Sequence, residues 1–383
     1  MSWPMVSLGE LVEVFSGFAF KSDRFNASGE GLPLVRIRDV KGGESETYYS
    51  GEFTERFVVS DGDLLVGMDG EFNCAPWRGG RALLNQRVCR VTATDHRMDQ
   101  DYLRRFLPAA LKVIEARTSF VTVKHLSSKD IAAIQIPLPP LLEQRRIAAI
   151  LDQADALRRL RRQSLSRLSD FGQVIFFEMF GDPIQNPRNW LVGSVRDLVS
   201  EAKYGTAQKA NTTGEGIPIL RMGNLTYEGR IDLTDLKHVE LAERDIPKYT
   251  TRRGDLLFNR TNSKELVGKT AVVDSDEPMA IAGYLVRVRT NERGNPHYIS
   301  AFLNSRPGKA ILQNMCKNIV GMANINAQEL QDIAIPIPPV TLQEEFAKKL
   351  GMINQRRALY EKAIGESEAL FASLQHRAFR GEL

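Results

Sequence analysis

The chain has 383 residues, 43% hydrophobic and 26% charged, with 51 Lys+Arg against 47 Asp+Glu for a formal net charge of +4. This is a soluble, globular profile with length for two or three domains, and it excludes a polybasic tail or a highly charged disordered protein. No stretch approaches the ~18 consecutive apolar residues that span a bilayer. The first residues carry no secretory signal, and Cys74, Cys89 and Cys316 are scattered without a CxxC pair, which argues against a disulfide scaffold or zinc site and fits a reducing cytoplasm.

In chain order, short β-rich runs come first, Leu34–Arg38 and Val88–Thr92, set between Gly, Asp and Asn turns. Residues 101–117 read as helix. The element Ile136-Pro137-Leu138-Pro139-Pro140 cannot be helix interior, because proline lacks an N–H and restricts the residue before it. It predicts an extended, stiff exit from a domain. Residues 141–180 contain no proline and little glycine, and predict a long helix. The order then recurs: a β-rich run at Leu285–Arg289, a helix over Pro296–Lys317, a proline exit at Ile335–Pro339, and a second long helix over 340–380.

The recurrence is a duplication of about half the chain. Pro137, Pro139 and Pro140 match Pro336, Pro338 and Pro339, an offset of 336 − 137 = 199. Gly31-Leu-Pro-Leu-Val-Arg36 matches Gly216-Ile-Pro-Ile-Leu-Arg221, and Gly62-Asp-Leu-Leu65 matches Gly254-Asp-Leu-Leu257. The predicted boundaries are 1–140 and 182–339 for two similar domains, with spacer helices over 141–181 and 340–383.

Both spacer helices share one 4-3 frame. In the first it selects Ile147, Leu151, Ala154, Leu165, Leu168 and Ile175, and in the second Phe346, Leu350, Ile353, Tyr360, Ile364, Phe371 and Leu374. That is the pattern of a coiled-coil seam, and ~40 residues at 1.5 Å each give a rod of roughly 60 Å. Arg158 and Arg357 occupy the same slot of the frame, with carboxylates such as Asp155 or Glu361 as register-setting partners. The expected architecture is therefore mixed α/β (α+β): two similar domains separated by two long helices packed as an antiparallel coiled coil, with pseudo-twofold symmetry.

Catalytic motifs are fragmentary. Gly268-Lys269-Thr270 lacks the first glycine of a phosphate loop, since Ser263 stands there, and a strand-like run follows where a helix is required. Phe15-Ser-Gly-Phe-Ala-Phe20 and Asp182-Pro183-Ile184-Gln185 are degraded versions of methyltransferase motifs, the latter without an aromatic to stack on a flipped base. The five histidines show no HExxH or HxxH spacing. The chain is expected to catalyse nothing. What remains is a set of cationic and amide side chains in turns and short strands, suited to phosphates and base edges.

At this point the sequence resembles the specificity (S) subunits of type I restriction-modification enzymes. The resemblance rests on Gly31–Asp39, Gly62-Asp-Leu-Leu65, the exit Ile136–Gln144, Met179-Phe-Gly-Asp-Pro183 and the C-terminal Ser373–Leu383, and above all on their order and duplication. It implies two target-recognition domains, each reading half of a split DNA sequence. It also implies helices that hold the domains apart and bind two modification (methyltransferase) subunits, with restriction subunits as further partners. S-adenosylmethionine, ATP and Mg2+ would serve those partners, and this chain would bind no cofactor. Two domains on such a rod suit half-sites about one DNA turn apart, ~34 Å.

The candidate DNA-facing residues are Arg36, Arg38, Lys41, Asn73, Arg87 and Lys124 in the first domain. In the second they are Arg221, Arg260, Asn262, Lys264, Lys269 and Asn324. The loops Met68–Cys74 and Asn259–Ser263 are DNA-facing candidates with them, and because the loops differ the two half-sites should differ. The competing readings are a coiled-coil scaffold without sequence readout, and a stand-alone DNA methyltransferase or nuclease.

Overall fold

The computed structural model describes residues 3–117, 124–264, 266–319 and 322–383. It divides into two compact units, Met1–Leu160 with Ala363–Leu383, and Arg161–Lys362. The division runs through both long helices, Leu141–Phe180 and Val340–Ala378. Each unit is thus one mixed α/β domain carrying a stretch of each helix.

In the first unit a four-stranded antiparallel sheet has the order Val12–Ser16, Val88–Ala93, Leu64–Gly67, Cys74–Pro76. Side chains alternate across a strand. Leu64, Val66, Cys89 and Val91 accordingly face a core shared with Tyr102, Leu103, Leu107 and Leu111 of the helix Gln100–Arg117. Leu65 and Val88 point to the other face, against Val35, Trp77 and Leu84. Burial on both faces explains why the middle strand reads as an unbroken apolar run.

The second unit repeats the plan with Val199–Tyr204, Leu285–Thr290, Leu256–Asn259 and Thr270–Val272 in the corresponding order. Leu256, Phe258, Val286 and Val288 meet Tyr298 and Phe302, while Leu257, Ala271 and Leu285 meet Leu220 and Ile281. The glycines recur where close approach demands them. A Cβ on Gly17 would lie 2.2 Å from the Asn85 carbonyl oxygen, and one on Gly205 would lie 2.2 Å from that of Ile281. The Phe15–Phe20 segment is thus a backbone crossing that needs glycine.

The proline exits are strands. Gln135–Pro137 pairs antiparallel with Met5–Ser7, and Ala334–Ile337 with Leu191–Ser194, so each domain is closed by its own first strand. Beyond each exit a buried glutamine fixes the helix start. The Gln144 side chain donates to the carbonyls of Arg97 and Pro139 and accepts from Asp99 N–H. Gln343 donates to Arg293 and Pro338 and accepts from Asn295 N–H. Tyr102 and Tyr298 add the same bond in each half, donating to the carbonyls of Pro137 and Pro336 at 2.8 and 2.6 Å.

Three expectations change. The helix expected over Pro296–Lys317 is two helices, Pro296–Asn304 and Arg306–Met315, with Lys317 opening a strand. Ser305 breaks it by taking an extended conformation and capping the second helix through Gly308 N–H. Tyr360 is not a seam residue, since 37% of it stays exposed. Near the end of the first long helix the frame moves from Ile175, only half-buried, to Phe176 and Phe180, which are buried. Their rings sit 5.7 and 4.7 Å from Tyr298 and 5.8 and 5.6 Å from Phe346. There the helix is part of a domain core, which covers a wider arc than a helix partner does.

Elsewhere the frame selects inward positions. Ile147 and Leu151 are buried in the first unit's core with Ala378, and Phe371 and Leu374 pack on the same cluster. In the second unit Phe346 is buried and Leu350 packs beside it, while Leu168 and Ile353 line a cavity of about 640 Å³. Ala154, Leu165 and Ile364 are half-buried. Within each unit the start of one long helix therefore lies against the end of the other, in antiparallel sense. Arg158 bonds Asp155 and Glu368 at 2.5 and 2.8 Å, with its guanidinium carbon 3.7 Å from the Phe371 ring centroid. Burial alone would raise the Asp155 carboxyl; hydrogen bonds from Arg158 and Arg105 outweigh it and hold the group below the ordinary carboxylate range. Among the described residues no helix is long and apolar enough to cross a membrane.

Candidate nucleic-acid interface

In the second unit the strand Leu256–Asn259 runs past Arg260 into Thr261–Asn262. These pair antiparallel with Met322–Asn324, which in turn pairs with Lys317–Ile319. This ribbon gathers Arg260, Asn262, Lys264 and Asn324. The Arg260 backbone is fixed from both sides: its N–H donates to Tyr284 and its carbonyl accepts from Ile325. Its guanidinium lies 4.7 Å from the Tyr204 ring centroid, and the Tyr204 hydroxyl accepts from Ala327 N–H. The Thr261 hydroxyl donates to Asn324 Oδ1 at 3.0 Å. Asn262 accepts from Ser263 N–H, and Lys264 is exposed.

The first unit builds the equivalent place from different side chains. Met68 stands where Arg260 does: its N–H donates to Arg87 and its carbonyl accepts from Leu126. The bridge that follows is Asp69 to His125 where the second unit has Thr261 to Asn324. Here too the side chains bond across it. Asp69 Oδ1 meets His125 Nδ1 at 2.6 Å, and Asp69 Oδ2 accepts from Arg87 at 2.5 Å. The Lys124 carbonyl accepts from Gly70 N–H, while its ammonium donates to the Glu115 carbonyl. Asn73 is half-buried, and its carbonyl accepts from Gly67 N–H.

The remaining candidates divide. Arg36, Arg38 and Lys41 are exposed on or beside the short helix Ile37–Gly42, with Arg38 donating to Thr47. Arg221 is half-buried and bound to the carbonyl and carboxylate of Asp235. Lys269 is a correction. It is only 8% exposed, and the Tyr227 ring centroid lies 5.7 Å from its ammonium and 5.9 Å from that of Lys309. Burial lowers the Lys269 ammonium, and burial together with Lys269 lowers that of Lys309 to about 8. Asp69 lies within the candidate loop Met68–Cys74, and one residue absent from the sequence-based set belongs in it, His125. The signal was present in the repeat: His125 lies 324 − 125 = 199 positions before Asn324, the offset of the proline exits.

The family model described as "Type I restriction modification DNA specificity domain" matches residues 2–169 and again 187–364, once over each copy of the repeat. The chain belongs to this family. It is 30% identical over its whole length to the EcoBI specificity subunit of Escherichia coli, covering 86% of that protein. It is 23% identical, also over its whole length, to the EcoKI specificity subunit of Escherichia coli strain K12, covering 89% of it. Among solved structures, the type I restriction-modification S subunit from M. genitalium matches 99% of this chain and 96% of its own, with a TM-score of 0.59 at 14% identity. Being a type I specificity chain accounts for a duplicated mixed domain on paired long helices, and for ribbons that are alike in backbone and unlike in side chain.

Proposed function

We propose that this chain is the DNA-reading subunit of a type I restriction-modification assembly. Each domain reads one half of a bipartite duplex target, and the paired helices set the spacing. The observation that carries this is the duplicated ribbon: one backbone hydrogen-bond pattern holding Asp69, Arg87 and His125 in one unit and Thr261, Tyr284 and Asn324 in the other. Matching backbone bonds that carry different side chains are what two unlike half-sites require. The chain positions DNA and catalyses nothing itself. Adenine methylation falls to two modification subunits that use S-adenosylmethionine and flip the base, and cleavage to restriction subunits that use ATP and Mg2+, all in the cytoplasm. Large apolar side chains left exposed on the long helices are where we place the modification subunits: Leu157, Leu160, Phe171 and Val174 on the first, Met352, Leu359 and Leu370 on the second.

The test is methylation-site mapping in cells expressing this chain with a type I modification subunit. One bipartite motif with unlike halves and a methylated adenine on each strand is expected. Co-purifying subunits that produce no methylated motif would overturn the reading in favour of a scaffold.

A further inference from the structure

Resting on that reading, we infer that Asp69 is a positioning residue for the first half-site. It holds Arg87 to read a guanine through the major groove, with His125 as the second arm of the same cluster. The exposures have the shape this role needs. The Asp69 side chain is 14% exposed, while those of Arg87 and His125 are 54% and 58% exposed. A shielded carboxylate therefore grips two side chains that reach into solvent. Both its oxygens are engaged, one by each partner.

The chemistry favours base reading over phosphate neutralisation. An arginine that only meets phosphate gains from being an uncompensated charge, since affinity then comes from counterion release. Beside Asp69 the charge of Arg87 is offset, and the carboxylate itself repels a polyanion. What the pair keeps is direction. Arginine has five N–H donors in a rigid plane. Bonding one nitrogen to Asp69 removes side-chain freedom that DNA binding would otherwise have to freeze. The donors not used by Asp69 suit the two major-groove acceptors of guanine, O6 and N7, which is the bidentate arginine contact. The second unit has no counterpart: Thr261 replaces Asp69, Asn324 replaces His125 and Tyr284 replaces Arg87, all neutral. The carboxylate-held arginine thus belongs to one half-site alone.

The experiment uses the chain assembled with its modification subunits and its mapped target, with a duplex panel in which each base pair of both half-sites is changed in turn. Arg87→Ala should reduce discrimination at one G·C pair of one half-site by about 10- to 100-fold, leaving the other half-site's profile unchanged. Asp69→Asn should relax the same base pair more weakly while raising non-specific duplex affinity at low salt, because a negative charge is gone. Loss of any carboxylate near the duplex would move that second readout, so the relaxation confined to the base pair read by Arg87 is what a purely structural role would not produce. Arg87→Ala weakening every duplex alike, with the salt slope reduced by about one, would mark a phosphate contact and overturn the inference. So would a panel indistinguishable from wild type. Should Asp69→Asn prevent assembly, Arg87→Ala decides alone, since Arg87 is a surface side chain. A wild-type complex with no bipartite preference refutes the broader reading. A bipartite wild type whose first half is indifferent to Arg87 refutes only this inference.

Discussion

Removing the buried amide that fastens a long helix to its domain should cost about 3 kcal/mol, and the same amount in either half. Gln343 is fully buried, and its side chain makes three hydrogen bonds, to Asn295 N–H and to the carbonyls of Arg293 and Pro338. Gln343→Leu keeps the volume and removes all three. Arg293 is exposed, so water can reach its carbonyl. Asn295 N–H and the Pro338 carbonyl lose their partner in a buried place. At ~1–3 kcal/mol per orphaned group, less about 1 kcal/mol for the added apolar surface, the net loss is about 3 kcal/mol. Gln144→Leu orphans Asp99 N–H and the Pro139 carbonyl in the same manner. The assay is urea unfolding at equilibrium. Trp190 fluorescence reports the second unit, and Trp3 and Trp77 report the first after Trp190 is replaced by Phe. A loss under 1 kcal/mol, losses differing by more than 2 kcal/mol between the halves, or a Gln343→Leu effect on the first unit's transition would refute the reasoning.

Four further outcomes are expected. Arg87→Ala relaxes one base pair of one half-site, as set out above. Hydrogen bonding from Lys203, opposed by burial and helped by Arg287, lowers the Glu201 carboxyl from 4.5 to about 2. Its stabilisation is complete above pH 4.5 and lost as pH falls towards 2. Glu201→Gln should therefore cost about 1 kcal/mol at neutral pH, since solvent screens its pair with the half-exposed Lys203, with the gap closing below pH 4.5; a pH-independent gap in urea midpoints would contradict this. Gly205→Ala places a Cβ 2.2 and 2.4 Å from two backbone carbonyl oxygens and should cost more than ~2 kcal/mol of second-unit stability, which thermal unfolding reads directly. Gly351, exposed in mid-helix with open space around its would-be Cβ, should gain about 1 kcal/mol on substitution by Ala, and a lowered melting temperature would count against it.

What the sequence disclosed depended on the physics behind each signal. Proline leaves a mark because it lacks an N–H, so the exits at Pro137 and Pro336 announced the duplication and an extended backbone, but not the pairing with each domain's first strand. The heptad frame selected inward positions at Leu151 and Phe371, which meet in the first unit's core. It failed at Phe176 and Phe180, where a whole domain core covers the helix and the rule of two positions in seven no longer applies. Lys269 looked like a surface cation because a lysine in a turn usually is one; only the tertiary fold puts it beneath Tyr227. The break at Ser305 was invisible because its residues are compatible with helix until serine finds a cap. The pairing of Asp69 with His125 escaped because its significance is relational: Asp69 sat in a candidate loop, but 56 residues separate it from His125.

The duplicated chain also serves as its own comparison, and the two halves sort residues by physics. Positions that match across the copies are buried and bonded to backbone: Gln144 with Gln343, Tyr102 with Tyr298, Gly17 with Gly205. Asp63 and Asp255 likewise accept from the N–H three residues earlier and pair with Arg90 and Arg287 on the neighbouring strand. The glutamines, the tyrosines and Asp255 would orphan a buried polar group if changed, and the glycines would force a backbone clash, so folding fixes them; Asp63 keeps the same bonds at a partly exposed place. Positions that differ cluster on the ribbon, where Asp69, Arg87 and His125 correspond to Thr261, Tyr284 and Asn324; Arg87, His125 and Tyr284 reach solvent, while the backbones are held by bonds that no side chain makes. Exchange there leaves the fold intact and changes only which donors and acceptors are presented. A frame that tolerates unlike reading chemistry at one place, and little variation elsewhere, can change its target by changing a few exposed residues. Grafting Asp69, Arg87 and His125 onto positions 261, 284 and 324 should thus transfer the first half-site's guanine preference to the second while leaving the second unit's unfolding transition within about 1 kcal/mol of wild type.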